Sequence, residues 1–168
     1  GDTVSVFRRT GAAINTTQFT LGAANSQGNT TLVVDQTIAA DNPALGKVRV
    51  VSASGQHHRY RYSSFSGSTF TLADAAPGTA TAGSDADTLI ASAGPPFANA
   101  EVGDYVRNTT EGKIVRITAV TSSTEVQTES VTSWSSDGFD YQKLMETYPD
   151  NQTAYVPVIE RVANATSH

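Results

Sequence analysis

The chain has 168 residues, a formal net charge of −5, a pI near 5.0 and no Cys. This balance weighs against nucleic-acid binding, which needs clustered Lys and Arg facing phosphates. The missing Cys excludes a disulfide scaffold, a thiolate metal site and a Cys nucleophile. Ser and Thr together number 40, Ala 22 and Gly 13, while 38% of residues are hydrophobic and 8% aromatic. Thr, Val and Tyr favour strands and Gly marks turns, so the composition predicts an all-β fold. Its apolar content is thin for a self-sufficient core, which points to burial shared with partner subunits. No apolar run approaches the roughly 18 residues of a membrane span. Thr3 to Arg9 lacks the apolar stretch of a signal peptide.

Thr3-Val4-Ser5-Val6-Phe7 alternates polar and apolar residues, which predicts a strand, and Gln18 to Leu21 predicts a second. Phe19-Thr20-Leu21 before Ala23-Ala24 echoes Phe70-Thr71-Leu72 before Ala75-Ala76. Residues 1–29 therefore read as an N-terminal arm ending in the closing strand of a similar unit. A first module spans 30–74. Thr31 to Val34 opens it, Asp41-Asn42-Pro43 turns the chain, and Gly46 precedes a strand from Lys47 to Ala53. Ser54-Gly55 leads back into a strand with His58, Tyr60 and Tyr62 on one face and His57, Arg59 and Arg61 on the other. Ser66-Gly67 leads to a last strand, Thr69 to Leu72, completing a β-meander.

Residues 75–87, rich in Ala, Gly and Thr, read as a linker or long exposed loop. A second module covers 88–131, where Tyr105 to Arg107 turns through Thr109-Thr110-Glu111-Gly112 into Lys113 to Val120. Residues 132–168 form a C-terminal segment. It holds a polar loop around Trp134, a short helix from Phe139 to Tyr148 that Pro149 ends, and a final strand from Tyr155 to Val162. Pro157 confines that strand to an edge or to one-sided pairing.

The modules repeat one another. Leu32, Gly46, Gly55 and Arg59 recur 57 residues later as Leu89, Gly103, Gly112 and Arg116, and Val48 and Tyr60 fall on Tyr105 and Ile117. After the arginines the register slips by two, so that Ser68 to Leu72 answers Ser123 to Thr128, a change that a hairpin loop tolerates. The alignment predicts burial of Val48, Val50, Tyr60, Tyr62, Tyr105, Val115, Ile117 and Val120. It places Arg59 and Arg116 outside the core. With Ile114 and Val120 opposite Val115 and Ile117, it expects the second module to be covered on both faces. The fold class is all-β: two related small β-meander or barrel-like modules with flanking strands and at most one short helix.

One segment is familiar. Val102-Gly103-Asp104-Tyr105-Val106-Arg107-Asn108-Thr109-Thr110-Glu111-Gly112, then a strand ending Arg116-Ile117-Thr118-Ala119-Val120 and a Ser122-Ser123-Thr124 turn, resembles segments of tailed-bacteriophage virion proteins. Ala154-Tyr155-Val156-Pro157-Val158-Ile159-Glu160-Arg161 is similar to phage structural chains as well. The first module departs from the pattern, with Lys47 where Asp stands and no Asn-Thr-Thr turn. The resemblance implies a structural virion component of the neck, tail, baseplate, fibre or decoration type. It names no catalytic residue.

His57, Arg59 and Arg61 form a candidate cationic stripe for an acidic partner, a glycan or phosphate; the plainer reading is a solvated strand face. Adjacent His57 and His58 point to opposite faces and cannot chelate one ion, so no metal is assigned. Asp85 with Asp87, and Asp137 with Asp140, lack the Asp-x-Asx-x-Asx-Gly series and read as loop acids. Trp134, Tyr141 and Tyr148, joined by Tyr155, read as contact anchors, with a sugar-stacking platform as the alternative. No Gly-x-Ser-x-Gly, phosphate loop or dinucleotide fingerprint occurs, so no catalytic residue or cofactor is assigned. The expectation is a non-enzymatic virion part, homo-oligomeric, with other virion proteins as partners and neither nucleic acid nor membrane. The alternative is an extracellular carbohydrate- or receptor-binding module.

Overall fold

A computed structural model describes residues 18–150 and 152–156. The described residues form twelve strands and no helix. In chain order these are β1 (Gln18–Thr20), β2 (Thr31–Val33), β3 (Gly46–Val51), β4 (His57–Ser66), β5 (Thr69–Leu72), β6 (Ala76–Thr79), β7 (Thr88–Ile90), β8 (Tyr105–Asn108), β9 (Lys113–Val120), β10 (Glu125–Thr128), β11 (Gly138–Tyr141) and β12 (Thr153–Tyr155). They make two antiparallel six-stranded sheets, ordered β1-β12-β3-β4-β5-β2 and β6-β11-β8-β9-β10-β7. The orders are the same once β1 is matched with β6, β12 with β11, and β2 to β5 with β7 to β10. Each sheet curls until its edge strands touch at one bridge, Leu21 with Val34 in the first and Ala80 with Ala91 in the second. The fold is all-β and built from two related modules.

The duplication reaches single hydrogen bonds. Asn25 closes the turn after β1 by accepting from the Val33 N–H at 2.7 Å and donating to its carbonyl at 2.7 Å. Ser84 does the same for Ile90, at 3.0 and 3.3 Å. A β-bulge inserts one extra residue at the same place in each module, Ser63 after Tyr62 and Thr118 after Ile117.

These pairings correct part of the alignment drawn from identities. Leu32 opposite Phe70 answers Leu89 opposite Val126, as the 57-residue spacing requires. Tyr62 opposite Leu72, however, answers Ile117 opposite Thr128, so Tyr60 corresponds to Val115. The β3–β4 hairpin is longer than its counterpart, 12 residues from Val48 to Tyr60 against 9 from Val106 to Val115. Arg59 and Arg116 are therefore not equivalent. Arg59 lies across from Arg49, and Arg116 across from Tyr105.

The C-terminal segment departs most from expectation. Phe139–Tyr148 is not a helix: Gly138–Tyr141 is β11, inserted between β6 and β8, and the chain then returns to lay β12 between β1 and β3. Residues 75–87 are not a linker either, because β6 forms an edge of the second sheet. Nor is the Gln18–Thr20 segment a closing strand; it is the opening strand equivalent to β6. The second module is thus continuous from β6 to β11, whereas the first is completed only by β12. One module is nested inside the other. The expected strand Thr3–Phe7 and most of Tyr155–Val162 lie outside the described residues.

Each sheet wraps its own core. Phe19, Leu21, Leu32, Val48, Val50, Tyr60, Tyr62 and Phe70 gather with Leu144, Met145 and Tyr148 from the returning chain. Leu89, Phe97, Val106, Val115, Ile117, Val126, Trp134, Phe139 and Tyr141 form the second cluster. Burying each large side chain contributes about 1.5–3 kcal/mol, which makes the returning segment part of the first module's stability. Two expected core positions differ. Val120, at the end of β9, is 38% exposed. Tyr105 is half-buried and, with Ile114, packs from the second module against the first core. The outer face of β8–β9 is thus covered by its twin at those two residues.

Candidate functional site

The densest chemistry lies where the modules meet. Arg59 and Arg61 alternate on the outer face of β4, turned away from Tyr60 and Tyr62. Arg59 donates to Asp104 Oδ1 from Nε at 2.9 Å and from Nη2 at 2.7 Å. Its Nη2 also lies 3.3 Å from Glu101 Oε2. Lys47 Nζ, on neighbouring β3, is 2.6 Å from Glu101 Oε1, and this bond holds the Glu101 carboxyl below its ordinary range. Asp104 is buried and fully engaged, because its Oδ2 accepts from Tyr141 Oη at 2.8 Å and from the Glu101 N–H at 3.0 Å. Burial, then the charge of Asp104, raises the Tyr141 hydroxyl far above its usual range. Arg61 bonds Asp74 and the Asn99 carbonyl, while its own N–H donates to Gln142 Oε1 at 2.7 Å. The stripe is a clasp between modules, not a solvated face. His57 remains exposed at the start of β4.

A second polar chain runs through the first core. Met145 N–H donates to Tyr60 Oη at 3.0 Å, leaving the Tyr60 proton for Tyr148 Oη at 2.6 Å and the Tyr148 proton for His58 Nδ1 at 2.6 Å. This order suits a neutral imidazole with its proton on Nε2, which lies 3.4 Å from Gln56 Oε1. Burial pushes His58 down to about 4, and burial raises Tyr60 and Tyr148 well above their usual range. His58 is therefore a core residue that ties the returning segment to β4.

The aromatic candidates divide between the cores. Trp134 is fully buried and donates from Nε1 to Thr128 Oγ1 at 3.0 Å; Tyr141 lies in the second core and Tyr148 in the first. The structure brings none of the three to the surface. Tyr155 pairs through its backbone with Gln18 and Arg49. The loop acids have local work. Asp85 Oδ1 accepts from the Asp87 and Thr88 N–H groups, Asp137 accepts from Asn108 Nδ2 at 2.7 Å, and Asp140 lies 3.3 Å from Lys143. Among the described residues there is no group of three or more metal-ligating residues and no helix long and apolar enough to cross a membrane.

Sequence reasoning missed Glu101, Asp104, Asp74 and Asn99. One signal was available: the charge reversal at the 57-residue spacing, where Leu45-Gly46-Lys47 stands against Val102-Gly103-Asp104. Opposite charges beside the two glycines suit a contact between the modules, although strand pairing matches Lys47 with Tyr105 and Gly46 with Asp104.

Beside the clasp, between the start of β3, the middle of β4 and the Asn99 turn, opens a cleft of about 370 Å³. No family model, no curated protein and no solved structure matches the chain.

Proposed function

We propose that this chain is a structural component of a tailed-phage virion. It acts through protein–protein contacts as one copy in a symmetric assembly. The carrying observation is where the reactive and recognition-prone side chains go. Arg59, Arg61, Glu101 and Asp104 bind the modules to each other, and Trp134, Tyr141, Tyr148 and His58 fill the cores. Chemistry directed inward makes a braced two-module block, which suits a building part. The resemblance of Val102 to Val120 to virion chains supports the same reading, and that stretch contains Asp104, the buried acid of the clasp. Leu45 and Val102, turn residues ahead of β3 and β8, are 70% and 58% exposed and offer each module one apolar contact point.

The test is the mass of the full chain in solution, followed by its copy number and position in an intact particle by electron microscopy. A symmetric oligomer, or copies at symmetry-related positions, supports the proposal. A chain that stays monomeric at micromolar concentration and is absent from any particle contradicts it. The stacking-platform reading loses its residues, because Trp134, Tyr141 and Tyr148 are buried.

A further inference from the structure

We propose that the cleft at the joint between the modules is a binding site for one neutral sugar residue, an aldohexose unit. Its walls come from both modules: Leu45, Lys47, Arg61, Ser63 and Asp74 from the first, Asn99 from the second. At about 370 Å³ it lies near the lower end of the roughly 300–1,000 Å³ of small-ligand sites.

Three observations select the ligand. The first is charge. Lys47 is paired with Glu101 at 2.6 Å, and Arg61 is paired with Asp74. Both cations of the cleft already have a carboxylate, so an anion would have to break an ion pair to bind. A neutral ligand would not.

The second is hydrogen-bonding capacity. The bonds from Arg61 and from Asn99 Nδ2, the latter at 3.4 Å, use one oxygen of Asp74. The other oxygen, the Asn99 amide oxygen and the Ser63 hydroxyl remain for a ligand, and all three residues are exposed. Carboxylate, amide and hydroxyl groups beside exposed Leu45 match the alternating O–H and C–H character of a pyranose.

The third is backbone geometry. Asp74 has a φ of 55°, a left-handed conformation unfavourable for a non-glycine residue. Ser63 is the extra residue of the β4 bulge, a device that re-aims a side chain. Both irregular residues of this region line the cleft.

The experiment is an amide chemical-shift titration of the full chain with glucose, galactose, mannose and N-acetylglucosamine, and separately with inorganic phosphate. At least one sugar should shift Leu45, Ser63, Asp74 and Asn99 together with millimolar affinity, and phosphate should not. Asp74→Ala should weaken binding about tenfold or more, the scale of a lost hydrogen bond to a charged group. Because Asp74 also holds Arg61, a second variant at the exposed rim, Leu45→Asp, should leave the spectrum folded and weaken the same sugar severalfold. No response to any of the four sugars overturns the proposal. So does binding of phosphate at these residues, or sugar binding unchanged in Asp74→Ala and Leu45→Asp.

Discussion

Phe139 lies directly across the sheet from Gly78, and at the equivalent place in the other module Phe19 lies across from Ala154. The large residue has moved from the opening strand to the closing strand, and the small one has moved the opposite way. A Cβ on Gly78 would stand 2.1 Å from Phe139 Cζ. Gly78→Ala is expected to lower stability by about 1–3 kcal/mol through overpacking. Phe139→Ala is expected to cost about 3–5 kcal/mol, part of it through the Phe97 ring stacked 5.5 Å away. The double exchange Gly78→Phe with Phe139→Ala, which copies the first module, should be more stable than Phe139→Ala alone. Urea unfolding of the three variants checks this.

Arg59 and Asp104 should be strongly coupled. Asp104 is 4% exposed, and its loss removes an acceptor from the half-buried Arg59 guanidinium and from the Tyr141 hydroxyl. Asp104→Ala is expected to cost about 3 kcal/mol, the scale for breaking a buried pair. A double-mutant cycle with Arg59→Met should give a coupling of about 1 kcal/mol or more. Lys47–Glu101 is the contrast. With Glu101 48% exposed, its cycle should give less than about 1 kcal/mol.

Stability should fall as the medium becomes acidic. His58 is held near 4 in the folded chain against 6.5 for its ordinary value. Between those values the unfolded chain binds the extra proton, so stability decreases as pH drops through the window. The loss is on the order of 3 kcal/mol when complete. Glu146, raised by burial, acts in the opposite sense. Denaturation at pH 7 and pH 5 should show a decline that His58→Gln flattens, because Gln carries no titrating proton.

The sheet alternation was legible where the hydrophobic period is plain. His58, Tyr60 and Tyr62 face inward as a period of two requires, and both Leu32 and Leu89 are fully buried. The helix reading failed because Phe139, Leu144, Met145 and Tyr148 look like one stripe but serve two cores, with the strand β11 ending between them. β6 reads as loop in the sequence because it must be small: Gly78 makes room for Phe139. Arg59 aligns with Arg116 in the sequence because identity is visible there, while the change in hairpin length is visible only in strand pairing. A loop Trp and a Tyr late in the sequence resemble contact anchors, whereas the burial of Trp134 and Tyr141 depends on β11 entering the second sheet.

One module is nested within the other, and hydrogen exchange on a chain ending at Tyr141 probes that arrangement. That chain keeps β6 to β11 but removes β12, Leu144, Met145 and Tyr148 from the first module. Amides of β7 to β11 should remain protected. Those of β1, β3 and β4 should exchange rapidly, because β1 would keep only the Leu21–Val34 bridge and neighbouring bonds. Protection of β1, β3 and β4 at full-length levels in the shortened chain would contradict the account.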